Sequence, residues 1–529
     1  MPVPTSVLPV ALNRNGAVSE PTTTSLLVTV QELVGELIVW ATSRPGEVPT
    51  FAEVEGWLIP RVMQFGCLLL ALFVATRSEH QVATLASRLA VGETTLRRGP
   101  LQARNLTTFF GVIRYRRLYF VGPLQSGHRT GFHPLDRALG LTTDRMSLRV
   151  LSLCARLAVN LSFAETHATL ARVLPSVPAP SQIERAVLGL GRFTRAWLSK
   201  APVPTDDGEV LVMQFDSKGA PTATDQELTR RRGPRRRSAA PSPRHRGVNK
   251  RSRYGSKRRR EPGDKSKNAR MATRVVMYTL RREGDLLLGP LNKRVYASFA
   301  SKEHAFQWAR TQADRRGFSA GSGRLIQALT DGELCFDAYL AQYFPEALRT
   351  LDIVHVIEKL WTAAEAIFRN NTLARNRWVE LRKKDLLEGR EAALVTLLED
   401  ARAVIPKTGP GNKGRRHRLA DVASYLRKRL GQLRYQYLME QDLELATGAV
   451  EGGIKDIVGR RFDHGGMRWV PARAEALLHL RCIEANGEWD AFVAYVQQRL
   501  QHEANQGHAT PTLLRAKPLP IPTVYKVAA

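Results

Sequence analysis

Between residues 209 and 354 the chain holds five short runs of β-branched and aromatic residues, and the last two are each preceded by a segment of helical period. Residues 209–215 form a β-rich run, closed by the turn sequence Asp216-Ser-Lys-Gly219. Residues 274–280 and 295–299 read as second and third strands. Ser301 stands at the capping position of a helix through Arg310. Residues 324–329 read as a fourth strand ending at Asp331-Gly332. A helix over 336–343, a fifth strand over 348–354 and a helix from Val356 follow.

Three consecutive strands form a meander, and two strands reached through helices pair in parallel. Three strands, helix, strand, helix, strand, helix is the order of a ribonuclease-H-like fold. The expected core is therefore α/β, a ribonuclease-H-like mixed sheet over residues 205–356. Asp216 and Asp331 fall just past the first and fourth strands, where open α/β sheets build their sites. Two carboxylates brought together repel, and a bound Mg²⁺ or Mn²⁺ reverses that balance. A pair of such ions stabilises both the attacking and the leaving oxygen of an in-line phosphoryl transfer. Each aspartate taken singly is also an ordinary turn residue, favoured after a strand for its own backbone hydrogen bonds. A third acid is expected from a helix. The stretch 446–461 offers Glu451, with Thr447 as cap and Lys455, Arg460 and Arg461 just beyond it, where a DNA backbone is expected to approach; an acid in a first turn is equally favoured by the helix dipole.

The charge points to the partner. Lys and Arg exceed Asp and Glu by 30 over 529 residues, which favours a polyanion through counterion release. Residues 230–270 carry 18 Lys/Arg against two acids, densest at Arg230, Arg231, Arg232, Arg235, Arg236 and Arg237 and at Lys257, Arg258, Arg259 and Arg260. So little apolar content cannot fold alone, so 229–270 is expected to be a disordered basic insert that tracks a phosphate backbone. Cys67, Cys154, Cys335 and Cys482 lack zinc spacing and read as buried small hydrophobes. The first 20 residues lack a signal-peptide pattern, and the most apolar run, 65–75, is about half of a bilayer span. The expectation is an intracellular, cytoplasmic, nucleoid-associated protein with no membrane partner.

Around this core the expected organisation is as follows. Residues 1–28 form a disordered arm. Residues 29–140 are a helical region with a short β element. Residues 141–200 are helix-turn-helix-like, with the last helix, from Ser181 through Gln182 and Arg185, reading DNA; a helical bundle that merely packs gives the same pattern. A helical insertion spans 357–444, the third-acid helix and C-terminal helices span 445–502, and 503–529 is a tail.

The run Val212-Met-Gln-Phe-Asp216-Ser-Lys-Gly, the Leu-Thr-Asp331-Gly turn and Leu351-Asp352-Ile-Val-His355 resemble bacterial insertion-sequence transposases of the Kra-type group, similar to the Mutator-like branch of the DDE superfamily. Ala446-Thr-Gly-Ala-Val-Glu451-Gly, then Arg460-Arg461 and Gly466-Met-Arg468-Trp469, resemble the same group's third-acid helix. The likeness covers roughly residues 90–495. It implies a metal-dependent DNA transposase using Asp216, Asp331 and Glu451, acting on double-stranded element ends and target as a homo-oligomer. It also implies the all-helical insertion, and it makes Asp352 and His355 an accessory Asp-x-x-His element. Asp352 is the competing second acid; the strand order selects Asp331. Two other functions share these features: a nuclease or resolvase without strand transfer, and a non-enzymatic basic protein binding DNA or RNA.

Overall fold

The computed structural model describes residues 22–43, 50–91, 94–125, 128–224, 269–446, 455–462, 467–506, 513 and 518–522. The chain divides into two compact units, Met1–Trp197 with Gly487–Leu519, and Leu198–Asn486 with Pro520–Ala529.

The first unit opens with α1 (Thr23–Thr42) and α2 (Phe51–Thr84), each started by a threonine in a capping box. Helix α1 begins inside the segment expected to be a disordered arm, because the Thr22 hydroxyl and the Ser25 side chain close its first turn reciprocally. The short β element proves to be six strands. β1 (Arg88–Val91), β2 (Thr94–Arg98), β5 (Phe120–Gln125) and β6 (His128–Phe132) form one antiparallel sheet, and β3 (Gln102–Thr108) with β4 (Gly111–Arg117) forms a hairpin. The hairpin's inward face, Leu106, Ile113 and Tyr115, packs against Leu26, Val30 and Leu33 of α1 and Cys67, Leu68, Ala71 and Val74 of α2. Both α1 and α2 are long and apolar enough to cross a bilayer, which run 65–75 alone does not reveal, and 17% and 22% of the apolar windows are buried.

After α3 (Pro134–Ala138) come α4 (Leu148–Ala158), α5 (Phe163–Leu170, whose first turn is closed by a capping box of Ser162 and Glu165) and α6 (Pro180–Lys200). Residues 171–179 separate α5 from α6, more than the three or four residues of a helix-turn-helix turn. Ile183, Ala186, Val187 and Leu190 of α6 are buried, while Arg185 on the same helix is exposed. The C-terminal helix α15 (Trp489–Gln506), grouped from sequence with the third-acid segment, falls in the first unit. Trp489 donates to Ser152 Oγ (3.0 Å) and Phe492 lies edge-on to Trp197 at 6.1 Å, which seats it in the first unit.

The second unit is a five-stranded mixed sheet in the order β11-β10-β7-β8-β9. β7 (Val210–Pro221), β8 (Ala269–Glu283) and β9 (Leu286–Ser298) form the antiparallel meander, and β10 (Leu325–Thr330) runs parallel to both β7 and β11 (Leu348–Leu351). Helix α7 (Lys302–Arg315), capped by Ser301, covers one face, where Phe306 stacks on Phe215 at 4.1 Å and Trp308 on Tyr296 at 4.3 Å. The opposite face carries a polar layer of Gln214, Tyr278 and Gln327, all fully buried. Coverage on both sides explains why the strands read as mostly apolar runs without a strict polar–apolar alternation. Helix α8 (Leu334–Tyr343) links β10 to β11. Five helices follow, namely α9 (Ile353–Phe368), α10 (Thr372–Leu387), α11 (Glu391–Val404), α12 (Asn412–Arg427) and α13 (Tyr435–Glu440). A π-helical turn, Lys455–Arg460, and α14 (Pro471–Ala485) complete the unit. The fifth strand stops at Leu351, earlier than its apolar pattern, because the Asp352 side chain accepts from the Val354 N–H and starts α9 there.

Candidate active site

Strand register brings three of the expected acids into a row. Thr330 of β10 pairs with Phe215 of β7 on one side and Leu351 of β11 on the other. The next residue on each strand is Asp331, Asp216 and Asp352. Parallel neighbours lie about 4.8 Å apart, so Asp331 sits in the middle with Asp216 on one flank and Asp352 on the other. Asp216 is not past its strand, since β7 runs on to Pro221 paired with β8; it lies where β7 outruns β10.

Each carboxylate has a distinct environment. Asp216 and Asp331 are half-buried and Asp352 is buried. Asp216 Oδ1 accepts from the Ser217 N–H (2.6 Å) and Asp331 Oδ1 from the Glu333 N–H (2.9 Å). Burial, with the Asp216 charge adding to it, pushes the Asp331 carboxyl above the ordinary aspartate value, against the pull of its backbone hydrogen bond. Asp352 Oδ1 caps α9 (2.8 Å to Val354 N), and its Oδ2 lies 3.5 Å from His355 Nδ1. That contact raises the His355 pKa, and the Asp352 and Asp331 charges add to it. Asp216 with Asp331, then, form the half-exposed pair, while Asp352 is committed to a helix start and to His355. On β8 the register partner of Asp216 is Arg274, whose guanidinium is buried; reading β8 from sequence only as apolar gave no reason to single it out.

The helical insertion grips the loops that carry these acids. Tyr425 on α12 donates to the Asp331 carbonyl (2.9 Å), and Arg429 donates to the Gly332 carbonyl and to the Tyr425 carbonyl (3.0 Å). Tyr435 on α13 donates to the carbonyl of Leu351, next to Asp352 (2.8 Å). Gly332 has φ +78, and a Cβ there would fall 2.7 Å from Tyr425 Oη and 2.8 Å from Arg429 Nε. These partners lie about 80–100 residues away from the acids in sequence, which is why sequence spacing did not disclose them.

Glu451 lies outside the described residues, as do Thr447 and the basic-insert residues Arg230–Arg232, Arg235–Arg237 and Lys257–Arg260. The chain on either side of Glu451 is anchored. The Leu445 carbonyl accepts from the Ile353 N–H (3.0 Å), and the Gln327 amide clamps Glu444 through its N–H (3.1 Å) and carbonyl (2.7 Å). On the far side, Gly459 meets the Lys218 ammonium on β7, near enough that a Cβ would stand 2.6 Å from it. Among the described residues no three His, Cys, Asp or Glu side chains converge closely enough to hold a metal ion.

The expected DNA contacts divide. Arg185 and Arg460 are exposed. Gln182 instead accepts from the Ala179 N–H (3.0 Å) at the start of α6. Arg461 is buried, with its guanidinium 4.7 Å from the Trp469 ring and 3.4 Å from Met467 Sδ. Trp469 packs edge-on against Phe462 (5.2 Å) and its backbone bridges to Thr222, so Arg461 and Trp469 are packing residues here. Arg468 is half-buried, and Lys455 begins the π-helical turn. Cys67, Cys154 and Cys482 are buried, but Cys335 is only half-buried, with Lys302 Nζ 3.5 Å from its sulfur.

No protein-family model matches the chain, and no curated protein does. Among solved structures it is similar to a chain of the Drosophila P element transposase strand transfer complex, at 10% identity and a TM-score of 0.31, covering 65% of this chain and 93% of that one.

Proposed function

We propose that this protein is a DNA transposase that cleaves the ends of a mobile element and joins them to target DNA, with Asp216, Asp331 and Glu451 as its acidic triad. The observation that carries this reading is the side-by-side placement of Asp216, where β7 outruns its parallel neighbour, and Asp331, just past the carboxyl end of that neighbour, β10. The sheet order β11-β10-β7-β8-β9, a meander flanked by two parallel strands, is the arrangement a ribonuclease-H-like core requires. The donor set suits a hard divalent cation. Two half-buried carboxylates adjoin, and burial, with the charge of Asp216 adding to it, raises the pKa of Asp331, a cost that a cation removes. Mg²⁺ or Mn²⁺ held there would supply charge stabilisation for the oxygens of a phosphoryl transfer. Glu451 would add the third carboxylate from a stretch anchored beside Asp352 at one end and beside β7 at the other. His355, kept protonated to higher pH than a free histidine, would face a phosphate from the edge of the row. The basic insert would hold the DNA backbone.

The test is an in vitro reaction of the full chain with DNA carrying the sequences that flank its gene, a target plasmid, and Mg²⁺ or Mn²⁺. Metal-dependent cleavage and joining are expected. Asp216→Asn, Asp331→Asn and Glu451→Gln should each lose at least about a hundredfold in rate, since each removes a ligand contributing several kcal/mol to the barrier, while DNA binding stays near wild type. Cleavage without joining would make the protein a nuclease or resolvase. Binding with no metal-dependent cleavage would make it a non-enzymatic binder.

A further inference from the structure

We propose that Lys218 holds the DNA phosphate next to the one that reacts, an inference resting on the phosphoryl-transfer function proposed above, and that Gly459 is a glycine to let the lysine reach it. Asp216 and Lys218 are two residues apart on β7. Side chains at that spacing stand on one face of a sheet, about 6.7 Å apart along the strand. The residue between them turns the other way, and Ser217 Oγ lies 3.2 Å from Thr273 Oγ1, its register partner on β8. Beyond Phe215 the strand pairs with β8 alone, because β10 ends at Thr330. Burial changes at the same point. Residues 210–215 are all buried, whereas Asp216, Ser217, Lys218 and Gly219 are all partly exposed. Lys218 therefore stands at the outer margin of the acid row, one strand repeat past Asp216.

The side chain has a fixed path. Gly459 is buried in the π-helical turn Lys455–Arg460. A Cβ on it would stand 2.6 Å from Lys218 Nζ, 3.5 Å from Cε and 4.0 Å from Cδ, so the end of the lysine crosses the bare glycine with its ammonium closest. The helical backbone at Gly459 is open to any residue, so it is the passage of the lysine that excludes a side chain there. The turn is itself held in place. Ile457 and Val458 are buried, and Arg481 of α14 donates to the Ile457 carbonyl (2.7 Å). Helical turns of this kind are rare and concentrate at functional sites, and Gly459 comes eight residues after Glu451. A lysine that only solubilised the surface would stay flexible and hydrated, with no need of such a passage. A row of carboxylates repels the DNA backbone it has to receive, and a cation at its margin offsets that repulsion. An ammonium has three protons to give and no acceptor, so it can keep a protein partner and bind a phosphate oxygen as well.

Fluorescence-anisotropy titration of the full chain with a duplex carrying the sequences that flank its gene, in EDTA and at several salt concentrations, tests this. Lys218→Met should flatten the log–log salt slope by about 0.9 and weaken binding about five- to tenfold at roughly 0.1 M salt, the loss of one phosphate contact, at an unchanged melting temperature. Gly459→Ala should give a similar loss with every charge retained, because it displaces the ammonium. In the Lys218→Met background, where the side chain ends near the former Cε position, the added methyl has room and should weaken binding no further. In the cleavage reaction Lys218→Met should raise KM and leave kcat near wild type, the opposite of the expectation for Asp216→Asn. An unchanged salt slope in Lys218→Met, a lower melting temperature without loss of binding, or additive losses in the double variant would each overturn the contact. A wild type that binds DNA without cleaving it, with these slope changes intact, would end the phosphoryl-transfer reading while supporting the hold of Lys218 on a phosphate.

Discussion

At the scale of single residues, the acid row stores a conflict that a cation would resolve. The folded-state pKa of Asp331 is raised, first by burial and then by the charge of Asp216. The sign follows directly. A group whose folded pKa lies above its unfolded value favours folding while protonated, and that benefit is lost as pH rises through the folded pKa. At neutral pH the ionised Asp331 therefore opposes folding. We predict that Asp331→Asn melts at a higher temperature than the wild type in EDTA at pH 7, and that Mg²⁺ raises the melting temperature of the wild type but not of the variant. The difference between the two proteins in EDTA should shrink as pH falls through the raised Asp331 value. Differential scanning fluorimetry across that range checks all three. A variant that melts lower in EDTA would show that the carboxylate is satisfied by protein contacts and not poised for a cation. The two aspartates were legible from sequence because each follows a strand-forming run. That they meet at one site followed from the strand order; that Asp331 lies in the middle, with Asp216 and Asp352 on its flanks, depends on the register between strands far apart in the chain.

At the scale of elements, the site rests on contacts between the sheet and the chain that returns after the helical insertion. Gln327 is fully buried on β10, and its amide bonds Thr350 Oγ1 (3.0 Å) as well as both backbone groups of Glu444. It therefore fixes the path of the chain seven residues before Glu451. We predict that Gln327→Leu costs about 2–4 kcal/mol of stability, since two backbone groups are left without partners at about 1–3 kcal/mol each. We also predict that end cleavage falls further than end binding, and that Gln327→Glu, which keeps the acceptor for the Glu444 N–H, recovers part of both. Urea unfolding with parallel binding and cleavage assays measures these. Equal losses of binding and cleavage would assign Gln327 to the fold alone. Sequence reading located the strands and helices of this unit because their periods differ, but it overextended β11 by three residues. The apolar pattern continues into α9, and only the side chain of Asp352 decides where the helix starts.

At the scale of the whole molecule, charge distribution would govern the encounter with DNA that the proposed function requires. The insert at 230–270 holds about half of the net charge in a composition unable to present a fixed hydrogen-bond pattern to base edges. Deleting residues 230–260 is expected to weaken binding to end sequences and to random DNA by a similar factor. It should also flatten the log–log salt slope by about 0.9 for each phosphate that is no longer neutralised. The preference for end sequences should survive. Titrations against both DNAs at several salt concentrations decide this. Loss of end preference at an unchanged slope would make the insert a reader of sequence. The first unit contributes a different surface, since the helix expected to read DNA, α6, is buried along Ile183, Val187 and Leu190, and its Arg185 edge faces outward.

What the sequence determined alone is local: strands from β-branched runs, the helix start at Ser301, and Asp216 and Asp331 next to strand-forming runs. These follow from short-range propensity, periodicity and charge, which act within a few residues. Tertiary structure decided the rest. It set Asp331 between Asp216 and Asp352, buried Arg274 and Arg461, turned Trp469 to packing, and drew Trp489 back to the first unit. It also brought Tyr425 and Arg429 onto the Asp331-Gly332 turn. The reason is that a side chain's role depends on what covers it, and the covering groups here come from segments far away in the chain, joined by register and packing, which no local pattern encodes.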